Sequence, residues 1–450
     1  MLRSTSPAGR PALAALLAVT ALAACASNGS APVTAAAPHA SATPAPIATS
    51  AAPLVVQASA PAPTTAAEAI AAARMSFGAC ISDLQRQAVD AGIPAQVAEA
   101  SLRDVRLNER IIELDRSQPE FVQTFAEYLD RRISQVRIDR GRRLVDQHSG
   151  LLRRVEAEYG VPGRYLVAFW GLESNFGDNM GGFRVMESLA TLTCEGRRGA
   201  FFRSELFDAM RIVAAGDVTL DRMYGSWAGA MGQPQFMPST FQRHAVDADG
   251  SGRRDIWGSL PDVFGSAGRF LQAAGWRAGE DWGQEVLLPS GFDYGLADLS
   301  ERRSVGEWEA LGVRAAGGRE LAEADRQASI LLPAGWQGPA FIVYPNFHVI
   351  LNWNRSNNYA LSVGLLADRI AGRGGMSVPP PADEVGLSRS QVVDLQRWLV
   401  TLGYDAGTAD GIVGPNTRSA ARAFQQATGL PADGYVGQDL YHRLRAAAGA

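Results

Sequence analysis

The sequence predicts a predominantly α fold with a small β contribution (α+β), followed by a separate small helical unit, and three observations carry that reading. Apolar residues recur at helical spacing around 81–91, 94–101, 119–146, 149–159, 162–176, 200–214, 261–274 and 357–371. Only Val286 to Leu288 and Phe341 to Val343 read as short strands. A break from Gly372 to Glu384, containing Gly374-Gly375 and Pro379-Pro380-Pro381, then sets off a tail in which glycines punctuate short amphipathic helices.

The amino terminus reads as a targeting segment. Arg3 and Arg10 precede an apolar run from Pro11 to Ala21, too short for a comfortable membrane span, and Leu22-Ala23-Ala24-Cys25 follows. That tetrapeptide looks like the lipobox of a bacterial lipoprotein. Residues 1–24 are then a signal peptide, and acylation of Cys25 would anchor the mature chain to a membrane, in the periplasm and at the outer membrane. A plain secretory peptide with an incidental cysteine is the alternative. From Ala26 to about Ala73 the chain is Ala, Pro, Thr and Ser with Glu68 as its one acid, a composition that cannot bury enough apolar surface to fold. We place a disordered tether at residues 25–75, with a root-mean-square reach of roughly 35–40 Å.

With 450 residues, 46% of them hydrophobic, the chain can bury a substantial core. A formal net charge of −4 provides no basic field for nucleic acid, and every basic residue is arginine. Setting Cys25 aside leaves Cys80 and Cys194, an even number in a compartment that permits disulfides. A Cys80–Cys194 bridge is the favoured expectation, against two buried free thiols. The five histidines form no His-x-x-x-His pair or Cys/His cluster, which argues against zinc.

Glu173 is the candidate catalytic residue. The helical stretch from Pro162 to near Gly177 places Leu166, Phe169 and Trp170 on the same face as Glu173. An acid set among aromatics near the negative end of a helix dipole is disfavoured in its charged form, as a general acid near neutral pH requires. The plain alternative is a last-turn Glu paired with an arginine. Farther on, Ser226-Trp227-Ala228-Gly229-Ala230-Met231-Gly232-Gln233-Pro234-Gln235-Phe236-Met237 leads into a short helical pattern. Its small residues would let backbone approach a ligand, while its Ser, Gln and aromatic side chains suit a sugar groove.

Together with Glu173-Ser174-Asn175-Phe176-Gly177, this segment resembles the lytic murein transglycosylase B family, bacterial enzymes that cleave peptidoglycan glycan strands. The resemblance runs from about Phe77 to Ile370 and implies a lysozyme-like domain, placed at residues 76–372. It also implies that Glu173 protonates the bond between N-acetylmuramic acid and N-acetylglucosamine, the product ending in a 1,6-anhydro ring. Tyr344-Pro345-Asn346-Phe347 and Asn352-Trp353-Asn354-Arg355-Ser356-Asn357-Asn358-Tyr359 resemble a second substrate-contacting segment. Ser226, Gln233, Gln235, Asn346, Asn354 and Tyr359 are accordingly expected at the sugar. Trp353 stands where the family commonly has Tyr, so no hydroxyl-dependent role is expected there, and core packing is the reading for Phe341 and Phe347.

Asp247-Ala248-Asp249-Gly250-Ser251-Gly252-Arg253-Arg254-Asp255 spaces oxygen side chains like a calcium loop, with glycine at its sixth position. Position 12 is Gly258, so the usual Glu is missing, and Asp262 would replace it in the manner of the family's EF-hand-like site. The expected ligands are Asp247, Asp249, Ser251, Asp255 and Asp262, against a metal-free turn; no cofactor is otherwise required. Past a linker at 373–387, residues 388–447 carry Gln396-Arg397-Trp398-Leu399, Asp410-Gly411-Ile412-Val413-Gly414, Thr417 and Phe424-Gln425. These resemble the bacterial peptidoglycan-binding module with its three-helix fold. Two other functions stay open: a hydrolytic muramidase of the same fold, and a non-catalytic wall-binding scaffold.

Overall fold

The computed structural model describes residues 65–116 and 123–450, all within one compact unit. The signal peptide, Cys25 and most of the tether lie outside the described residues. Helix α1 (Ala66–Asp90) begins well inside the stretch assigned to the tether. Thr65 and Glu68 form a reciprocal capping box there, so an alanine-rich run that composition reads as unfoldable is a helix with a built start. α2 (Ala95–Leu102) and α3 (Glu109–Arg116) follow. The long helix expected over 119–146 is two helices, α4 (Phe125–Arg132) and α5 (Gln135–Gln147), because Ile133 leaves helical geometry and Ser134 caps the second.

α6 (Ser149–Tyr159) ends at Gly160 in a left-handed conformation and leads into α7 (Gly163–Ser174), the axis of the molecule. All but Arg164 and Glu173 of α7 are buried, so it packs on every side, against α5, α6, α11 (Leu260–Ala273) and α14 (Asn357–Ile370). Arg164 near its start pairs with Asp281 at 2.7 Å, and Asp281 also accepts from Arg373 at 3.0 Å. A second core surrounds α8 (Val185–Glu195) and α9 (Gly199–Ala214). α8 escaped the sequence reading because seven of its residues are buried, which erases amphipathic periodicity. Cys80 on α1 and Cys194 on α8 form a disulfide, with Cα atoms 5.9 Å apart.

The β contribution is a two-stranded ribbon, β1 (Phe183–Arg184) with β2 (Tyr224–Gly225), and an antiparallel five-stranded sheet in the order β4-β6-β7-β3-β5. Its strands are β3 (Gly283–Leu287), β4 (Arg303–Ser304), β5 (Arg314–Ala315), β6 (Gln327–Leu331) and β7 (Ala340–Val343). The short helices α10 (Pro238–His244), α12 (Val305–Ala310) and α13 (Pro345–Trp353) complete this part. Phe341 and Phe347 are fully buried.

Beyond it, α15 (Arg389–Thr401), α16 (Pro415–Ala427) and α17 (Gln438–Ala447) enclose their own core of Leu395, Leu399, Ala421, Phe424 and Leu444. The motif residues of this module are clamps. Gln396 donates to Ile412 O at 3.0 Å and Thr417 Oγ1 at 3.1 Å and accepts from Gly411 N at 2.9 Å, satisfying a buried turn. The stretch read as a free linker is held down, since Ser377 and Val378 donate their backbone N–H groups to Glu285 at 2.6 and 2.7 Å.

Candidate active site

Glu173 occupies the last turn of α7, half-buried on an otherwise buried helix. Three consecutive left-handed residues, Asn175 (φ 52°), Phe176 (φ 61°) and Gly177 (φ 86°), end the helix directly after it. Asn and Gly tolerate this conformation, but Phe does not do so without strain. Its ring accounts for the arrangement: it is buried edge-on to Trp170, and a Cβ on Gly171 would come within 2.7 Å of it. Ser174 Oγ accepts from Gly177 N at 3.0 Å, locking the turn.

One carboxylate oxygen of Glu173 receives two donors from the far end of the chain. Trp353, the last residue of α13, donates its indole N–H to Oε1 at 2.9 Å, and the Tyr359 hydroxyl on α14 donates to the same oxygen. Trp353 is itself packed among Phe169, Phe236 and Phe270, with ring centroids 4.5, 5.2 and 4.9 Å away, the Phe270 ring meeting it edge-on. Burial, and next the charge of Glu173, push the Tyr359 phenol well above its usual range, so it remains a neutral donor. Tyr359, expected at the sugar, is buried with its hydroxyl on Glu173, and the sequence reading missed Trp353, whose N–H supplies a donor without any hydroxyl. The signal available was its place in the Asn352–Tyr359 motif.

The wall formed by residues 226–237 is a compact double turn. Ser226 N donates to Ala230 O at 2.8 Å, and Ala230 N donates to Ser226 Oγ at 3.1 Å. Met231 bridges both Gly225 and Phe236. The glycines here serve packing rather than ligand approach: a Cβ on Gly229 would sit 2.4 Å from Leu189, and one on Gly232 would sit 2.7 Å from Ile256. Gln235 holds a left-handed backbone (φ 50°) and donates its amide to Met180 O at 3.0 Å and Gly232 O at 2.8 Å, tying this wall to the loop after α7.

Two residues expected at the sugar are spent on the scaffold. Gln233 is buried, accepting from Trp170 Nε1 at 2.7 Å and donating to Trp257 O at 2.8 Å. Asn346 has no exposed surface; it accepts from Arg277 N at 2.8 Å and donates to Arg277 O and Glu280 O at 3.0 and 2.8 Å. An amide with every polar atom engaged in the interior has nothing to offer a ligand. Asn354 is exposed just past α13, its Oδ1 accepting from Ser356 N at 3.0 Å. Three other acids of this region are engaged elsewhere: Asp178 with Arg140, Glu195 with Arg116, and Glu187 with Asn108 at 2.6 Å.

In the acidic loop, carboxylate oxygens of Asp247, Asp249 and Asp262 lie within 4.8 Å of one another. Asp262 is fully buried and accepts from Ala248 N and Asp255 N, each at 2.7 Å, so it organises the loop by itself. Asp255 stands outside that cluster, its Oδ1 accepting from Trp257 N and Gly258 N. Ser251 turns its hydroxyl to Arg253 O at 3.3 Å. The donor set therefore fits a hard cation in part, through three of the five expected side chains.

A half-buried acid clamped at the end of a buried helix, flanked by a polar loop in a mostly helical domain, defines a lysozyme-like glycan-cleaving fold. The chain belongs to the transglycosylase SLT domain family, whose model matches residues 76–368, and residues 388–444 match the putative peptidoglycan binding domain. It is 47% identical to SltB3 from Pseudomonas aeruginosa, solved in complex with NAG-NAM-pentapeptide, with a TM-score of 0.80 over 82% of this chain and 99% of that one. The same protein is solved with NAG-anhNAM-pentapeptide. Membrane-bound lytic murein transglycosylase B of Escherichia coli (strain K12) is 32% identical over 233 residues, which span 50% of this chain and 62% of that protein. Escherichia coli lytic transglycosylase Slt35 in complex with calcium is 28% identical, with a TM-score of 0.55 over 65% of this chain and 92% of that one.

Proposed function

We propose that this protein is a lytic murein transglycosylase, cleaving the β-1,4 bond between N-acetylmuramic acid and N-acetylglucosamine and closing a 1,6-anhydro ring on the muramic acid. The observation that carries this is the double clamp on Glu173 Oε1. With two donors on that oxygen, Oε1 is held as an acceptor, which fixes the plane of the carboxyl for proton transfer.

The acid donates its proton to the glycosidic oxygen as the C1–O bond breaks, and the 2-acetamido carbonyl oxygen of the same sugar captures C1. Deprotonated Glu173 then takes the proton of the C6 hydroxyl. O6 displaces the acetamido oxygen at C1, and Glu173 is again protonated. No water enters. Ordinary glycosidases place two carboxylates across the bond. Asp178, Glu187 and Glu195 are each engaged elsewhere, which supports the single-acid route. The anhydro sugar in the SltB3 complex supports the same product.

Peptidoglycan strands are the substrate, which the carboxy-terminal module's family supports. Acylation at Cys25 would hold the protein at the periplasmic face of the outer membrane; the membrane-bound relative supports an anchor. Among the described residues no helix is long and apolar enough to cross a membrane. Calcium at Asp247, Asp249 and Asp262 is proposed as a structural ion, supported by the calcium complex of Slt35.

Digesting purified peptidoglycan and weighing the products tests the reaction. Anhydro-muropeptides are expected, and Glu173→Gln should lower their release by about 10²–10⁴-fold or more while retaining binding. Reducing-end muramic acid as the main product would establish hydrolysis instead. Lysis by Glu173→Gln near the parent rate would move the acid elsewhere.

A further inference from the structure

A cavity of about 610 Å³ lies where the terminal module meets the turn between β6 and β7, outside the Glu173 site. One wall is Ala334, Gly335, Trp336 and Gln337; the other comes from the segment before α15 and from the loop and helix around α17. The two parts are built to touch here. Trp336 N donates to Asp433 Oδ2 at 2.9 Å, and Arg422 donates to Asp298 Oδ2 at 3.0 Å. Gly335 holds φ 72°, and a Cβ there would fall 2.9 Å from Asp433 Oδ2 and 3.1 Å from Tyr435, so only glycine permits this approach.

The lining has the character of a ligand site. Its volume falls in the roughly 300–1,000 Å³ range of small-ligand clefts. The Trp336 side chain is 46% exposed although its ring neighbours Tyr294 at 6.0 Å, which leaves an aromatic face open. Glu384, on the facing wall, has a carboxylate oxygen enclosed without a hydrogen-bond donor. An open aromatic face in a cavity lined by carboxylates and amides is suited to a sugar ring, with its apolar C–H face and its ring of hydroxyl donors. Charge discriminates against the other chemistry of a wall polymer. Asp383, Glu384, Asp433 and Asp439 face the cavity against the single guanidinium of Arg443, which disfavours a peptide ending in a carboxylate.

We propose that this cavity is a second glycan-binding site, shared between the two folded parts, in which Trp336 stacks on an uncharged N-acetylated sugar of the strand being cut. This rests on the proposed action on glycan strands, and it makes the module's ligand site incomplete without the catalytic part. A strand engaged at two places on one molecule dissociates more slowly than from either alone.

The test uses the full chain in its inactive Glu173→Gln form, co-sedimented with glycan strands stripped of peptide. Adding Trp336→Ala should weaken retention about tenfold, and Trp336→Phe, which keeps a stacking face, should restore most of it. Short peptide-free glycan fragments should compete, and free stem peptides should not. Retention unchanged by Trp336→Ala, or competition by stem peptide alone, would overturn the proposal. Equal losses in Trp336→Ala and Trp336→Phe would overturn the stacking role. Turnover of the same strands by the parent protein reports separately on the Glu173 reaction.

Discussion

The indole N–H of Trp353 donates to Glu173 Oε1 at 2.9 Å across 180 residues of sequence, joining the end of α13 to the end of α7. The Tyr359 hydroxyl meets the same oxygen. Tyr359 belongs to α14, which packs on α7, and the Trp353 ring at the end of α13 meets Phe169 of α7, so the orientation of the acid depends on how these two groups are seated.

Removing either donor should therefore slow the reaction without abolishing binding. A hydrogen bond to an ionised group is worth about 1.5–3 kcal/mol, so Tyr359→Phe and Trp353→Phe should each lower kcat by roughly 10–100-fold with little change in KM. Steady-state kinetics on a defined glycan fragment checks this. A KM rise at constant kcat would make these residues substrate contacts and not positioning groups.

Gln233→Ala should act on stability. It would strip the hydrogen-bond partners from the buried Trp170 N–H and the Trp257 carbonyl, at a cost of about 2–3 kcal/mol in denaturant unfolding. Because Gln233 has no polar atom to spare, KM should stay near the parent value. A large KM rise with unchanged stability would return Gln233 to the groove.

The Cys80–Cys194 bridge closes a loop spanning 114 residues. Cys80→Ser with Cys194→Ser, or reduction of the parent, should cost about 2–4 kcal/mol and lower Tm, while turnover well below Tm persists. Calorimetry with and without reductant measures it. An unchanged Tm would show that α1 and α8 hold together through their apolar contacts alone.

Calcium added to metal-stripped protein should raise Tm, since an ion bound only by the folded state contributes about 2.7 kcal/mol at a hundred times its Kd. Asp249→Ala is the informative variant. Asp249 is exposed, whereas the buried Asp262 carboxylate also holds the loop backbone. The shift should vanish in Asp249→Ala. No response up to millimolar calcium in the parent would leave a turn organised by Asp262 without an ion.

What the sequence made legible was local. Glu173 and Trp170, Phe169 and Leu166, three, four and seven residues before it, belong to one helix, where spacing alone sets direction. The module's Gln396 and Asp410-Gly411 were legible as a motif, but only the fold of the loop after α15 brings Gly411 N to Gln396 at 2.9 Å. The start of α1 at Thr65 and Glu68 went unread, because its alanine-rich composition matches that of a tether. α8 and β6 were hidden because burial on nearly every side leaves no polar face to set a period.

The sequence by itself determined a mostly helical chain with an acid at the end of an apolar helix, two cysteines that could pair and a glycine-punctuated module. Tertiary structure alone decided what each polar group is for. Gln233 and Gln235 differ by two positions, yet one is consumed in the core and the other ties two walls of the groove. Asn346 faces the interior while Asn354, on the next turns of the same segment, is exposed. An amide satisfies a sugar hydroxyl or a buried carbonyl equally well, and only the packing of distant elements settles which partner it meets. The same reason applies to Trp353, whose N–H becomes part of the active site only because α13 ends against α7.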